Sequence, residues 1–223
     1  MQRAIAAHMV KSALQLAPHV TAVHEVDLSQ VVAHRERNKD SLVGGGVRLT
    51  YSAYFVFAAA RALAEVPTVN SRWHDDALEV FSDANIGMVT AIEHGLMVPV
   101  VRRAQTLDLA EIARALHELT DKARHGRLTA HETRGSTFAI TNHGMGGSIL
   151  ATPIIHQPHA AILGIGKLQK RAMVVEEGGV DQIRIRPMIF ATLTIDHRVL
   201  DASSANAYMC RFGAILQDPG AWS

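Results

Sequence analysis

The run from Ile183 to Ile195 constrains this chain most. Ile183 and Ile185 alternate with Arg184 and Arg186, and beyond Pro187 the residues Ile189, Ala191, Leu193 and Ile195 again fall on every second position. A period of two sustained that far is a β-strand, and one well above the usual length of about five or six residues. It requires neighbouring strands to pair with. Pro187 has no N–H to donate, so it belongs at a sheet edge or a bulge.

Elsewhere the apolar period switches repeatedly. Helical spacing predicts helices over Gln2–Leu16, ended by Pro18, and over Ser29–Lys39 with Ser29 as N-cap. An Ala-rich, aromatic-studded stretch, Thr50–Val66, reads as a buried helix stopped by Pro67. The clearest amphipathic helix is Thr106–Arg124, with Leu109, Ile112, Ala113, Leu116 and Ala123 on one face and Gly126 at its stop. A last helix spans Asp201–Leu216. Strands are expected at His19–Leu28, Leu78–Phe81, Asn85–Ala91, Leu96–Val101, Thr137–Thr141 and Ala160–Ile165, with His94-Gly95 as a turn and Gly44-Gly45-Gly46 as a loop. The elements do not alternate regularly, which excludes a doubly wound sheet. The pattern predicts a mixed α/β (α+β) fold, a mixed sheet flanked by helices. There is no linker or repeat, so residues 1–223 read as one domain.

Composition narrows the class. The chain has 223 residues, 48% hydrophobic and 19% charged, with a net charge of +1. That length supports a sizeable core. The longest apolar stretch, near Ala53–Ala64, is interrupted by Arg61 and falls short of a bilayer span, so no membrane role is expected. A near-neutral chain lacks the basic face that nucleic acid requires. Cys210 is the single cysteine, so no internal disulfide forms, which fits a reducing compartment. No secretory signal is read in Met1–Val10.

Thirteen histidines invite a metal reading. His156 and His159 flank Pro158, no H-E-x-x-H occurs, and no metal is expected. The Asn142–Gly147 run is glycine-rich but lacks both the full G-x-G-x-x-G and the Walker pattern. His197 and Asp201 form an H-x-x-x-D pair, but chance gives about 0.6 such pairs at this His and Asp content. His117 and Asp121 form a second, read as a surface pair. What separates His197 is its setting: it follows the long strand and precedes a helix that Asp201 opens, where a carboxylate suits the free N–H groups.

Asp196-His-Arg-Val-Leu-Asp201 resembles the D-H-R-x-x-D-G signature of the dihydrolipoamide acyltransferases, the core components of 2-oxo acid dehydrogenase complexes. Further segments resemble the same family in order: Arg3-Ala-Ile-Ala-Ala-His-Met9, Ala17–Thr21, Glu25-Val-Asp27, Asn85–Val89, Gly95–Arg102, Gly135–Asn142 and Thr152–Gly164. The related chloramphenicol acetyltransferase has a histidine where Asp196 stands. The family glycine after Asp201 is Ala202 here, and lipoyl and subunit-binding modules are absent from this sequence.

The resemblance implies a chloramphenicol-acetyltransferase-like fold and acyl transfer between dihydrolipoamide and coenzyme A. The lipoyl group would be carried on a separate domain. It implies His197 as general base and Thr141 as oxyanion donor. Asp201 either positions the loop, pairing with Arg3 or Arg198, or simply caps the helix. Asn142 shapes the turn or contacts substrate, and Arg198 and Arg3 are further substrate-side candidates. The implied assembly is a homotrimer with shared sites, building a cubic or dodecahedral core that works with a lipoyl domain, a decarboxylating dehydrogenase and dihydrolipoamide dehydrogenase. The implied location is the cytoplasm, or the mitochondrial matrix in a eukaryote. The acyl group is open. Thr152-Pro-Ile-Ile looks succinyl-like, yet Gly166 stands where that branch often has histidine. Two rival readings are a catalytically weak scaffold, prompted by Ala202, and a free-standing chloramphenicol-type O-acetyltransferase.

Overall fold

A computed structural model describes Val10, Ser12 and residues 17–38, 46–92 and 95–222. Most of the expected Gln2–Leu16 helix with Arg3, Gly44 and Gly45 of the loop, and His94 of the His94-Gly95 turn lie outside them.

The long strand organises the sheet. Strand β10 (Val180–Asp196) pairs antiparallel with β1 (His19–Asp27), β8 (Ala161–Ile165) and β9 (Gln169–Glu177). The sheet continues from β8 through β7 (Phe138–Asn142) to β4 (Ile86–Ile92), and these three run parallel to one another. β4 also carries two short antiparallel partners, β5 (Gly95–Met97) and β6 (Val100–Val101). A separate two-stranded hairpin joins β2 (Ser71–Trp73) to β3 (Leu78–Val80). The sheet is mixed, as the irregular element order predicts.

Alternation assigns its faces. Phe138, Ile140, Ala161, Leu163, Ile165, Ala191, Leu193 and Ile195 join one large core with helices α1 (Ser29–Asn38), α2 (Tyr51–Glu65), α3 (Leu109–Arg124) and α4 (Ala202–Gln217). The opposite face carries Ala139 and Ile162, which pack on Ile155. That face also holds Thr141, Gly164, Thr192 and Thr194.

Helix α2 is buried over most of its length. Its one charged interior residue, Arg61, donates to the Gln105 carbonyl at 2.6 Å and lies over the Phe57 ring, so the charge is matched without leaving the helix. Helix α3 starts later than its apolar pattern suggests. Asp108 and Glu111 form a reciprocal capping box that fixes its N-terminus at Leu109, while residues 104–106 form a 3₁₀ turn. Ser29 is the first residue of α1 rather than its cap. Asp27 Oδ1 accepts from both the Ser29 N–H (2.7 Å) and its hydroxyl (2.6 Å).

One strand expectation is corrected, and two strands are added. Leu96–Val101 is two strands, because Pro99 interrupts the ladder and only its carbonyl pairs, with Met88 N–H. Ser71–Trp73 and the whole of β9 are strands that the sequence pattern did not reveal. Pro187 lies one position beyond the last β1 pair, Asp27–Met188, where its carbonyl still accepts from the Leu28 N–H at 2.8 Å but β1 has ended. That is the edge position its missing N–H requires.

Candidate active site

Strand β10 delivers a tight turn at its carboxyl end. The Asp196 N–H donates to Ala160 O (2.8 Å), and Asp196 O accepts from Val199 and Leu200 N–H, both at 3.0 Å. Leu200 is buried and anchors the turn. The His197 N–H donates to Pro18 O at 2.9 Å, and its side chain is exposed.

The residues flanking His197 are bound to each other. Arg198 donates from Nε to Asp196 Oδ1 (3.0 Å), from Nη2 to Oδ2 (2.6 Å), and from its backbone N–H to Oδ1 (3.1 Å). Asp196 is buried, and this fork satisfies a carboxylate that would otherwise be stranded away from water. The pair holds the Arg198 guanidinium above its already high ordinary pKa. Two of the donors assigned to substrate in the sequence reading are therefore committed to Asp196. The outer side of the guanidinium faces Trp73, whose ring centre is 5.5 Å from Arg198 Cζ. Trp73 gave no signal in the sequence.

Asp201 does not pair with Arg198. It is the N-cap of α4, accepting from Ser204 N–H at 2.8 Å, and this bond holds its carboxyl below the ordinary range. Ala202 is the first residue of α4, and Arg103 is the one non-glycine with positive φ among the described residues. The extra methyl at Ala202 is thus accommodated in helical backbone.

Thr141 sits on β7 between Val89 of β4 and Gly164 of β8. Thr137, Thr192 and Thr194 each have their hydroxyls committed, to Asp83 O, Ala151 O and Thr21 Oγ1. Thr141 Oγ1 makes no hydrogen bond among the described residues and is half-buried. Asn142 ends β7 and leads into a 3₁₀ turn, His143–Gly146, closed by Gly147 at φ 92°. The turn lies directly against the start of the next loop: a Cβ on Gly144 would collide with the Gly166–Lys167 backbone. Close packing, not phosphate binding, explains that glycine.

His197 and Thr141 lie at opposite ends of the sheet. Thr141 is level with Gly164, and Gly164 with Thr192, five residues before His197. At about 3.3 Å per residue and about 4.8 Å per strand spacing, the two Cα atoms are about 19 Å apart. They cannot reach one reacting carbonyl within a protomer.

His156 and His159 approach within 5.2 Å, ring centre to ring centre, and His159 Nε2 donates to Ser136 O at 2.9 Å. Among the described residues no three His, Cys, Asp or Glu side chains converge as metal ligands would, and no helix is long and apolar enough to cross a membrane. His117 and Asp121 are on α3, where Asp121 pairs with Arg127 and His125 instead.

A mixed sheet flanked by helices, closed by the long strand β10, is a chloramphenicol-acetyltransferase-like fold. Solved chloramphenicol acetyltransferase matches it in fold alone, with a TM-score of 0.59 at 14% identity over 90% of this chain and 89% of that one. The particular family is more specific. The chain belongs to the 2-oxoacid dehydrogenases acyltransferase (catalytic domain) family, whose pattern matches residues 1–223.

The dihydrolipoyllysine-residue acetyltransferase component of the pyruvate dehydrogenase complex of Corynebacterium glutamicum is 38% identical over 93% of this chain and 31% of its own length. The succinyltransferase component of the 2-oxoglutarate dehydrogenase complex of Bartonella vinsonii is also 38% identical, over 96% of this chain and 51% of its own. The chain thus spans about a third to a half of the curated relatives it matches.

Among solved structures, dihydrolipoamide acetyltransferase of Azotobacter vinelandii has a TM-score of 0.91 at 30% identity, covering 97% of this chain and 88% of that one. That work addressed a serine, a histidine and an asparagine in its catalytic mechanism, the last two four residues apart. The cubic core of a pyruvate dehydrogenase multienzyme complex matches equally, with a TM-score of 0.91 at 31% identity over 97% of this chain and 88% of that one.

Proposed function

We propose that this protein transfers an acyl group between dihydrolipoamide and coenzyme A, at a site shared by two copies of the chain. The observation that carries the reading is the exposed His197 in its fixed turn, about 19 Å from the uncommitted Thr141 hydroxyl of the same chain. His197 and Asp201 have the same four-residue spacing as the histidine and asparagine named for the Azotobacter enzyme.

The reaction is thioester exchange. A thiol with a pKa near 8.5 is mostly protonated at neutral pH, so a base is required. The His197 imidazole is the group assigned to accept the proton. The thiolate sulfur forms a new C–S bond at the acyl carbonyl, and the developing oxyanion accepts a hydrogen bond from the Thr141 hydroxyl of the adjoining subunit. Collapse breaks the old C–S bond, and the departing thiolate recovers the proton from His197. Asp201 contributes by capping α4 and fixing the far end of the turn. Asn142, next to Thr141, is assigned to the substrate side and to the shape of the glycine turn.

The assembly is a homotrimer whose threefold arrangement brings His197 of one chain to Thr141 of the next, and it builds a larger cubic or dodecahedral core. A lipoyl domain delivers the acyl group from a decarboxylating dehydrogenase, and dihydrolipoamide dehydrogenase reoxidises the arm. A bacterial cytoplasm is the assigned location, on the bacterial source of its relatives.

Acyl transfer to coenzyme A from acyl-dihydrolipoamide, followed by the acyl-coenzyme A formed, tests this. His197→Ala lowers kcat about 10²-fold or more, whereas His117→Ala leaves it unchanged. Equal effects from the two variants would defeat the assignment. Transfer to a hydroxyl acceptor in place of the thiol would favour the chloramphenicol-type reading.

A further inference from the structure

We propose that Trp73 is a positioning residue for His197, acting through Arg198 and Asp196; this rests on His197 being the base. No side chain among the described residues holds the His197 ring, so its aim is set by the backbone of its turn. That backbone is fixed on one side by Pro18 O and closed by the Asp196–Arg198 fork, which spans His197. Both carboxylate oxygens of Asp196 are taken by Arg198, so neither is available to the imidazole.

The weak point of the fork is Arg198. Asp196 is buried, but about a third of the Arg198 side chain is solvent-exposed. An arginine in that state has rotamers that leave its partner for water. The indole of Trp73 faces its guanidinium at 5.5 Å and opposes that departure. Asp75, two residues on, adds attraction for the same cation.

Trp73 has no comparable second function. It is 38% exposed and stands outside the hydrophobic core. It lies on the small β2–β3 hairpin, which is tied to the site by the Ala160 N–H donating to Ser71 O at 2.9 Å. Ala160 in turn accepts from Asp196 N–H through its carbonyl. The hairpin therefore holds the indole in register with the catalytic turn through one backbone residue. Loss of the aromatic face frees the guanidinium, loosens the fork, and widens the range of His197 orientations without removing any group that touches substrate.

The test uses the assembled oligomer, with kcat and KM measured for coenzyme A and for acyl-dihydrolipoamide. Trp73→Leu lowers kcat about 10- to 100-fold, as misplacement of a reacting group does, and leaves both KM values within about twofold. Trp73→Phe keeps an aromatic face and stays within about threefold of the parent. In a His197→Ala background Trp73→Leu costs nothing further, because the residue it positions is gone.

A Trp73→Leu kcat within about threefold of the parent overturns the inference. So does a loss expressed in KM, or an equal further loss without His197. If Trp73→Leu fails to assemble by sedimentation, Asp196→Asn is judged by the same three criteria. Wild-type activity in His197→Ala alone refutes the proposed function instead, before any Trp73 variant is measured.

Discussion

Mixing two inactive variants separates a shared site from one contained in a single chain. His197→Ala subunits keep Thr141, and Thr141→Ala subunits keep His197. If the proposed function holds, the opposite-end placement of the two residues makes each working site draw its histidine from one chain and its threonine from the next. In a closed ring with head-to-tail contacts every subunit gives one of each. After unfolding and random reassembly at equal amounts, an interface has a one-half chance of an intact histidine and, independently, one-half of an intact threonine. About a quarter of sites are then complete, and activity recovers to about a quarter of the parent. Each variant alone is expected to retain about 1% or less, from the loss of base or oxyanion donor. The recovery is a parabola in mixing ratio, peaking at equal amounts. Coenzyme A-dependent acyl transfer is the assay, and native mass spectrometry confirms mixed oligomers. Activity no higher than the average of the two parents, in confirmed mixed oligomers, would refute the shared site.

Three further predictions concern stability. Tyr208 is fully buried, its hydroxyl has no partner among the described residues, and burial pushes its pKa well up. Tyr208→Phe stabilises by about 1 kcal/mol in denaturant titration. The variant also flattens the alkaline limb: the folded state favours the neutral phenol, so the Tyr208 contribution is full below pH about 10 and declines above it as the unfolded chain ionises. Arg103 has φ 46° and ψ 42°, a left-handed conformation that asparagine tolerates better. Arg103→Asn raises stability by about 0.5–1 kcal/mol, since the Arg103 N–H bond to Asn85 Oδ1 is kept and only an exposed ion pair with Asp83 is lost; an unchanged or lower melting temperature would contradict it. Burial lowers the pKa of His34, with help from Arg37, and of His143. Both take up a proton less readily in the folded chain than in the unfolded one, so stability falls as pH drops below about 6.5 and the melting temperature is lower at pH 5.5 than at pH 7.5.

What the sequence could disclose follows from where each element meets water. Helix α3 has one buried and one wet face, and β10 has one buried face beyond Pro187, so both printed a clean period. Strand β9 does not. The β9–β10 arm reaches past the sheet edge and leaves Val174 at 66%, Ile183 at 75% and Ile185 at 74% exposure. Neither face of β9 is buried, and Met173-Val174-Val175 is apolar on both, so it carries no period of two.

The site divides along the same physical line. His197 and Asp201 were legible because the end of a strand and the start of a helix are local events, and each leaves a local mark. Trp73 was not, because its link to His197 runs across 124 positions of sequence through a hairpin, one backbone bond at Ala160 and a guanidinium. The role of Asp196 was hidden for the opposite reason. Chain adjacency suggests that the aspartate serves the histidine beside it, but the turn points that histidine outward and the carboxylate inward to Arg198. Neighbours on a chain are often on opposite faces, and here that geometry turns a triplet of adjacent residues into an exposed imidazole and the clamp that spans it.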